Sequence, residues 1–122
     1  MTGSFVQNYY DLEVFKKAFE ASLEVHKESL CFPQMEQYAL ANQIRRASKG
    51  ICANIAEGFA KQQASRPEFK RYLLIALGSA EEMDVWIRYC KELEYIDSVT
   101  SKKWEDEYRA IARMIQSLHS KV

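Results

Sequence analysis

The chain has 122 residues, the length of one domain, so residues 1–122 are predicted to form a single unit whose core needs no disulfides. Hydrophobic residues make up 48% of the chain, which excludes a disordered protein, and only 4 Gly and 2 Pro interrupt it, which favours long helices. The 17 Lys and Arg equal the 17 Asp and Glu, which excludes long-range attraction of the whole molecule to nucleic acid but not a local basic patch.

The first predicted helix covers residues 11–30 and begins at Asp11, whose carboxylate suits the positive end of a helix. A polar lead-in with three aromatic residues, Phe5, Tyr9 and Tyr10, precedes it. Two adjacent edges of the helix carry apolar and small residues: Leu12, Phe15, Phe19, Ser22 and His26 on one, and Val14, Ala18, Ala21 and Val25 on the other. Such a wide apolar face is typical of a helix packed in a bundle.

The second predicted helix covers residues 33–62. Phe32 precedes a proline and is therefore extended, while Pro33 suits the first turn of a helix, where no backbone N–H is needed. A seven-residue rhythm follows at Tyr38, Ala41, Ile44 with Arg45, Ser48, Ile51 with Cys52, Ile55 and Phe59. With a rise of about 1.5 Å per residue, this helix would be roughly 45 Å long.

Two glycines and two polar residues mark the middle of this helix, in the stretch Gln43–Gly58. Gly50 and Gly58 each cost a helix roughly 1 kcal/mol relative to alanine, so we expect a neighbouring helix to come very close to them. Asn54 and Glu57 lie near the apolar stripe and are predicted to form a partly buried polar pair.

The third predicted helix covers residues 66–93 and the fourth residues 98–120. Ser65 followed by Glu68 is typical of a capping box, and Asp97 or the serine after it can cap the fourth helix. The core stripe of the third helix consists of Phe69, Tyr72 with Leu73, Ala76, Ser79 with Ala80, Met83, Trp86 with Ile87, Cys90 and Leu93. The core stripe of the fourth helix consists of Trp104, Tyr108, Ile111, Ile115, Leu118 and Val122. Short turns make neighbouring helices antiparallel, so the predicted fold class is all-α, an up-down-up-down four-helix bundle.

Groups that could carry out catalysis are scarce. Cys31, Cys52 and Cys90 are far apart and form no CxxC pair, so we predict inert thiols in a reducing compartment. His26 and His119 belong to no metal-binding pattern, and His26 is predicted to be a structural histidine on the core side of its helix. No phosphate-binding glycine loop occurs in the sequence. We therefore predict a protein that is not an enzyme and has no cofactor and no metal.

Neither a signal-peptide pattern at the N-terminus nor a run approaching the ~20 apolar residues that span a bilayer occurs in the chain. These features predict a cytoplasmic protein with no membrane partner.

Basic residues on the second and third predicted helices are the candidates for contacting a phosphate backbone. These nucleic-acid-binding candidates are Arg45, Arg46, Lys49, Lys61, Arg66, Lys70 and Arg71. A hairpin between the two helices would bring the last four residues together at one end of the bundle. There the lysines can contact phosphates as point charges and the arginines as bidentate hydrogen-bond donors. The alternative is an ordinary charged surface with internal salt bridges. An acidic cluster at Glu81, Glu82 and Asp84 is interpreted as a solvated face.

Four segments of the chain together resemble a known family of small helical proteins. They are DLEVFKKA at Asp11–Ala18, FPQME at Phe32–Glu36, QIRRASKGICANIAEG at Gln43–Gly58 and FKRYLLIALGSAEEM at Phe69–Met83. They are similar to proteins encoded in intervening sequences of bacterial 23S ribosomal RNA genes, a family that also resembles the accessory variability-determinant protein of diversity-generating retroelements. The resemblance extends from about Asp11 to Tyr95.

The most distinctive part of the resemblance is RRA followed by NIAEG, which makes Asn54, Glu57 and Gly58 the structural motif. Two positions depart from the family pattern. Phe15 stands where the family usually has tryptophan, and Cys52 stands where it often has proline, which favours a straighter second helix.

The resemblance implies a non-enzymatic four-helix bundle that assembles into a homopentamer. For the retroelement relative it also implies a basic surface that binds nucleic acid and a reverse-transcriptase partner, but that relative is strongly basic whereas this chain is neutral. Two hypotheses therefore have equal weight: an oligomeric bundle that binds RNA or DNA through the second and third helices, and a structural scaffold that binds a protein partner. In both, we expect the exposed sides of the first and third helices to pack between subunits.

Overall fold

The computed structural model describes residues 6–122, and within them the chain forms four long α-helices and no strand. The helices are α1 at Glu13–Ser29, α2 at Leu40–Lys61, α3 at Arg66–Glu92 and α4 at Ser98–Lys121. Each helix packs against the next, and α1 also packs against α4, so the four close around a common core. The prediction of an all-α four-helix bundle is confirmed. Phe5, one of the predicted aromatic lead-in residues, lies outside the described residues.

Side-chain caps fix the starts of α3 and α4 where the sequence predicts them. The Ser65 hydroxyl accepts a hydrogen bond of 3.2 Å from the Glu68 backbone N–H. The Asp97 carboxylate accepts one of 2.7 Å from the Thr100 N–H. Because each cap satisfies a donor that the helix itself leaves free, the two boundaries are set locally.

The first turn is longer than the sequence suggests, because α2 begins at Leu40 rather than at Pro33. A short 3-10 turn at Gln34–Glu36 intervenes, and Ala39, with φ −122° and ψ −106°, is not helical. The Glu36 carboxylate then accepts a hydrogen bond of 3.3 Å from the Leu40 N–H. Tyr38 was predicted to lie on the core stripe, but it is 91% exposed.

The core lies mainly on the small-residue edge of α1, while Leu12 and Phe15 of the bulky edge are only partly buried against it. Val14, Ala18, Ala21 and Val25 are buried, whereas Phe19 is 46% exposed. The prediction that Phe19 and His26 face the core is therefore wrong. Small side chains let the backbone of α1 approach its neighbours, and this close approach turns the larger edge toward solvent. The large side chains that are fully buried include Ile44, Ile51, Ile55, Phe69, Leu73, Met83, Ile87, Trp104, Ile111 and Ile115.

Gly58 is the point of closest approach between α2 and α3. A Cβ built on it would lie 2.7 Å from Tyr72 Cβ and 3.1 Å from Phe69 Cδ1, so no larger residue fits without movement. The close helix contact predicted at Gly58 is confirmed. Gly50 is less confined, since its Cβ would meet only the Ser79 hydroxyl, at 3.4 Å.

Candidate nucleic-acid interface

The basic residues predicted to bind nucleic acid fall into two separate groups. Arg45, Arg46 and Lys49 lie in the first half of α2, whereas the other four flank the turn between α2 and α3. Sixteen positions separate Arg45 from Lys61 on the same helix, which corresponds to roughly 24 Å along its axis. The group at the turn, here called the second-turn cluster, consists of Lys61, Arg66, Lys70 and Arg71.

Tyr72 is the centre of the second-turn cluster. The Lys61 ammonium lies 5.9 Å from the centroid of its ring, and the Arg71 guanidinium carbon lies 4.7 Å away. At such distances an aromatic ring attracts cations. The Tyr72 hydroxyl donates a hydrogen bond of 3.1 Å to the Glu57 carboxylate, which fixes the ring. The ring therefore attracts one cation from α2 and one from α3.

Charge in the second-turn cluster is only partly compensated. Arg71 forms an exposed ion pair of 3.2 Å with Glu68, and this hydrogen bond lowers the pKa of Glu68 and raises the pKa of Arg71. Arg66 and Lys70 form no ion pair with any residue that the structure describes. The cluster therefore keeps a net positive charge beside the start of α3.

Arg45 has a structural role. Its guanidinium donates hydrogen bonds of 2.8 Å to the Ser29 hydroxyl, 3.3 Å to the Gln37 side-chain oxygen and 2.8 Å to the Gln37 carbonyl. Gln37 in turn donates to the carbonyls of Ser29 and Phe32, each at 3.0 Å. Arg45 thus ties the first turn to α1 and α2, and its donors already have partners inside the protein. The Arg46 side chain is exposed and forms no hydrogen bond or ion pair with the described residues.

Lys49 reaches across to α1, where its ammonium lies 2.9 Å from His26 Nδ1. An ammonium group can only donate, so Nδ1 accepts and the imidazole is neutral in this arrangement. Partial burial, and then the charges of Lys49 and Arg45, lower the pKa of His26. His26 is hydrogen-bonded as predicted, but it lies half-buried on the outer side of α1.

The predicted pairing between Asn54 and Glu57 does not form. The Asn54 amide donates a hydrogen bond of 2.8 Å to the Gly50 carbonyl one turn earlier in α2. Glu57 instead accepts from Tyr72 across the α2–α3 contact. The distinctive NIAEG motif therefore combines a helix-internal bond, a bond between helices and, at Gly58, the space that lets α3 approach.

The buried thiols are poor nucleophiles. Burial raises the pKa of Cys52 to about 11 and that of Cys90 to about 12, so both stay protonated at neutral pH. Cys31 is an exposed free thiol. Within residues 6–122, no group of His, Cys, Asp and Glu side chains is arranged to hold a metal ion.

Two contacts of this surface could not be found from sequence alone, since each depends on how neighbouring helices pack and are rotated. Tyr72 was predicted to be a packing residue on the core stripe, but it is half-buried and carries the cations of the second-turn cluster. The pairing of Lys49 with His26 depends on how α1 and α2 are rotated. Helical spacing was the only sequence signal for either contact, and spacing does not determine how a helix is rotated about its axis within the bundle.

A family model described as the 23S rRNA-intervening sequence protein matches residues 10–117. The chain is also similar to a crystal structure of a protein with unknown function from the S23 ribosomal protein family, from Bacteroides thetaiotaomicron VPI-5482. The two share 25% sequence identity with a TM-score of 0.79, over 88% of this chain and 95% of that one. No curated protein matches the chain. None of the described helices is long and apolar enough to cross a membrane. The chain belongs to the family of 23S rRNA-intervening sequence proteins.

Proposed function

We propose that this protein is a cytoplasmic, non-enzymatic scaffold that assembles into a ring of identical subunits, a homopentamer, and binds RNA or DNA through the second-turn cluster. The observation that carries the assembly is a pair of partly exposed apolar stripes, one along the outer edge of α1 and one along α3. The nucleic-acid role rests on the uncompensated charge of Lys61, Arg66 and Lys70.

The first stripe, here called the α1 stripe, runs along the outer edge of the first helix. Its members recur at three- and four-residue steps and are Leu12, Phe15, Phe19, Leu23, His26 and Leu30. Leu23 is 44% exposed and Leu30 is 60% exposed. Tyr9 packs edge-on against Phe15 with ring centroids 4.8 Å apart, and Phe15 stacks on Phe19 at 5.7 Å. The N-terminal end of the stripe therefore holds three aromatic rings in contact with one another.

The second stripe, here called the α3 stripe, covers the side of α3 opposite its core side. Its apolar members, all between 40% and 54% exposed, are Leu74, Ile75, Val85, Tyr89 and Leu93. Exposed apolar patches on soluble proteins often mark an interface, and the α3 stripe is a candidate for one.

The positions of the two stripes favour a ring over a two-fold dimer. α1 and α3 do not pack against each other within the described residues, so they occupy diagonal corners of the bundle. Their outer sides then face in roughly opposite directions. A subunit with two different interaction surfaces associates with its copies head to tail. Such a heterologous contact forms a ring when the rotation between subunits closes.

A ring also strengthens weak contacts with nucleic acid. Each subunit repeats the second-turn cluster, so the assembly presents several equivalent basic sites to one strand. Linked sites raise the overall affinity without any new contact at each site, which offsets the neutral charge of the single chain.

The test is binding of structured RNA and duplex DNA at increasing salt. We expect the affinity of the native protein to fall steeply with salt, because phosphate contacts release counter-ions. The variant K61E/R66E/K70E/R71E should lose binding, while K102E/R109E/R113E/K121E, which makes the same change of charge on exposed positions of α4, should lose much less. Equal losses of affinity in the two variants would mean that binding depends on net charge alone. That result would exclude the second-turn cluster as the binding site.

The second candidate function is a scaffold that binds a protein partner and has no nucleic-acid role. The zero net charge and the pairing of Arg71 with Glu68 favour it. The resemblance to the retroelement accessory protein makes a reverse transcriptase the first partner to test. A native protein that assembles but binds neither RNA nor DNA at low salt would select this function.

A further inference from the structure

Each of the two apolar stripes is interrupted by charge of one sign. On the α1 stripe, His26 lies between Leu23 and Leu30, and Lys49 of α2 places its ammonium 2.9 Å from the imidazole. On the α3 stripe, Glu82 lies between the apolar residues on its two sides, and Glu81 is next to it. The α1 stripe is therefore interrupted by a basic site, Lys49 with His26, and the α3 stripe by an acidic site, Glu81 with Glu82. They are called the basic interruption and the acidic interruption below.

The basic interruption has no counter-charge within the subunit. Lys49 forms no ion pair with any residue in the described part of the chain. The charges that act on His26 come from Lys49 and Arg45, both on α2 and both positive. Two basic groups in contact, without a carboxylate, form a site to which a negative group would be attracted.

The acidic interruption is held in place and is also unpaired. The Trp86 indole N–H donates a hydrogen bond of 3.2 Å to Glu82 Oε2, which orients the carboxylate. No basic side chain among the described residues pairs with Glu81 or Glu82, and both are exposed.

We propose that the Lys49–His26 pair of one copy binds the Glu82 carboxylate of the next copy, with Glu81 beside it, and that this contact fixes the register in which the α1 stripe meets the α3 stripe. The inference rests on the proposed ring and identifies the residues that join its subunits. A purely apolar seam could slip by one helical turn of roughly 5.4 Å. After such a slip, the charges of both stripes would face apolar side chains, which makes the wrong register unfavourable.

The residues that precede His26 on α1 and Glu82 on α3 complement one another in size. In an up-down-up-down bundle α1 and α3 run in the same direction, so in a ring whose axis follows the helices they would meet in parallel. Phe19 lies seven residues before His26, and Ile75 seven before Glu82. Leu23 lies three residues before His26, and Gly78 lies four residues before Glu82. Apart from its chain neighbours and the backbone of its own helix, Gly78 has no atom within 4 Å of where its Cβ would be, so it leaves room for Leu23 of the next copy.

The experiment is a charge swap measured by sedimentation equilibrium at micromolar concentration. We expect K49E and E82K each to weaken subunit association at least about tenfold, and K49E/E82K to restore most of the lost affinity, because the swapped pair regains its attraction. R46E is the control, since it makes the same charge change on a neighbouring exposed position that does not touch His26. Far-UV circular dichroism establishes that each variant is folded, and the recovery in the double variant excludes general misfolding.

The outcomes separate this inference from the proposed function. A native protein that is monomeric at these concentrations overturns the ring and the ion pair together. A native assembly that K49E and E82K leave unchanged overturns the ion pair alone. If K49E weakens RNA binding while association stays native, the Lys49–His26 pair contacts phosphate instead of a second copy, which also overturns the inference.

Discussion

The indole nitrogen of Trp104 on α4 donates a hydrogen bond of 2.7 Å to the Glu24 carboxylate on α1. Trp104 is fully buried, and Glu24 is the acceptor that satisfies its N–H. The other Glu24 oxygen accepts a hydrogen bond of 2.6 Å from the Lys103 ammonium. This carboxylate therefore joins the first and last helices of the bundle, at the edge of the core.

We expect Glu24→Ala to lower the free energy of unfolding by about 1–3 kcal/mol, because it leaves the buried indole N–H without an acceptor. Glu24→Gln should cost less, since an amide oxygen can still accept from Trp104. Lys103→Ala is the control, because it removes only an exposed ion pair and should cost at most about 1 kcal/mol. Urea unfolding followed by tryptophan fluorescence measures all three. If Lys103→Ala costs as much as Glu24→Ala, the ion pair rather than the indole bond holds the helices.

The ionisation of Glu24 and that of Glu107 should change the free energy of unfolding in opposite directions. The hydrogen bonds from Lys103 and Trp104 lower the pKa of Glu24 below its ordinary 4.5, so the folded state binds its proton less readily than the unfolded state. Its contribution to stability is thus present above pH 4.5 and is lost as the pH falls through the lowered pKa. Burial, and then the charge of Glu24, raise the pKa of Glu107, so its ionisation opposes folding above pH 4.5.

The substitutions Glu24→Gln and Glu107→Gln separate the two effects. We expect Glu24→Gln to lose less stability than the native protein between pH 7 and pH 3. We expect Glu107→Gln to be more stable than the native protein at pH 7, with the advantage disappearing at low pH, since Glu107 Oε1 is buried without a partner among the described residues. Thermal unfolding across this range is the measurement, and a Glu107→Gln protein that is less stable at pH 7 would contradict the assigned sign.

Gly58→Ala tests the close approach of α3 to α2. The added Cβ would lie 2.7 Å from Tyr72 Cβ, so one helix must move, and we expect a loss of about 2 kcal/mol. Gly50→Ala, in the same helix, should be neutral or stabilising, because only a flexible hydroxyl lies near its Cβ and alanine gains up to about 1 kcal/mol of helix propensity. Urea unfolding of the two variants should therefore give opposite shifts, and equal shifts would mean that Gly58 is not confined.

Local features of this bundle could be predicted from sequence, whereas rotation and cross-helix contacts could not. The caps at Ser65 and Asp97 depend on residues within three positions, so a sequence pattern identifies them. The outward side of α1 could not be assigned from periodicity, since both of its edges are apolar and only packing selects the small one. The late start of α2 at Leu40 depends on Glu36, Gln37 and the long-range bond from Arg45, and none of these is visible in local propensity.

Arg45 and Arg46 are adjacent in sequence but should behave differently. Arg45→Ala removes three hydrogen bonds that tie the first turn, so we expect a loss of about 1–3 kcal/mol. Arg46→Ala should stay within about 0.5 kcal/mol, because Arg46 is exposed and away from these contacts. Hydrogen exchange at the first turn and urea unfolding provide the readouts. Faster exchange in Arg46→Ala than in Arg45→Ala would show that the roles are reversed.

The most direct test of the proposed assembly is the native mass of the protein at micromolar concentration, measured by light scattering after size exclusion. Burial of the α1 stripe against the α3 stripe predicts a particle whose mass is a multiple of the 14.2 kDa chain, five-fold for a pentamer. A single species at 14.2 kDa would contradict the proposal, because both stripes would then remain exposed to water.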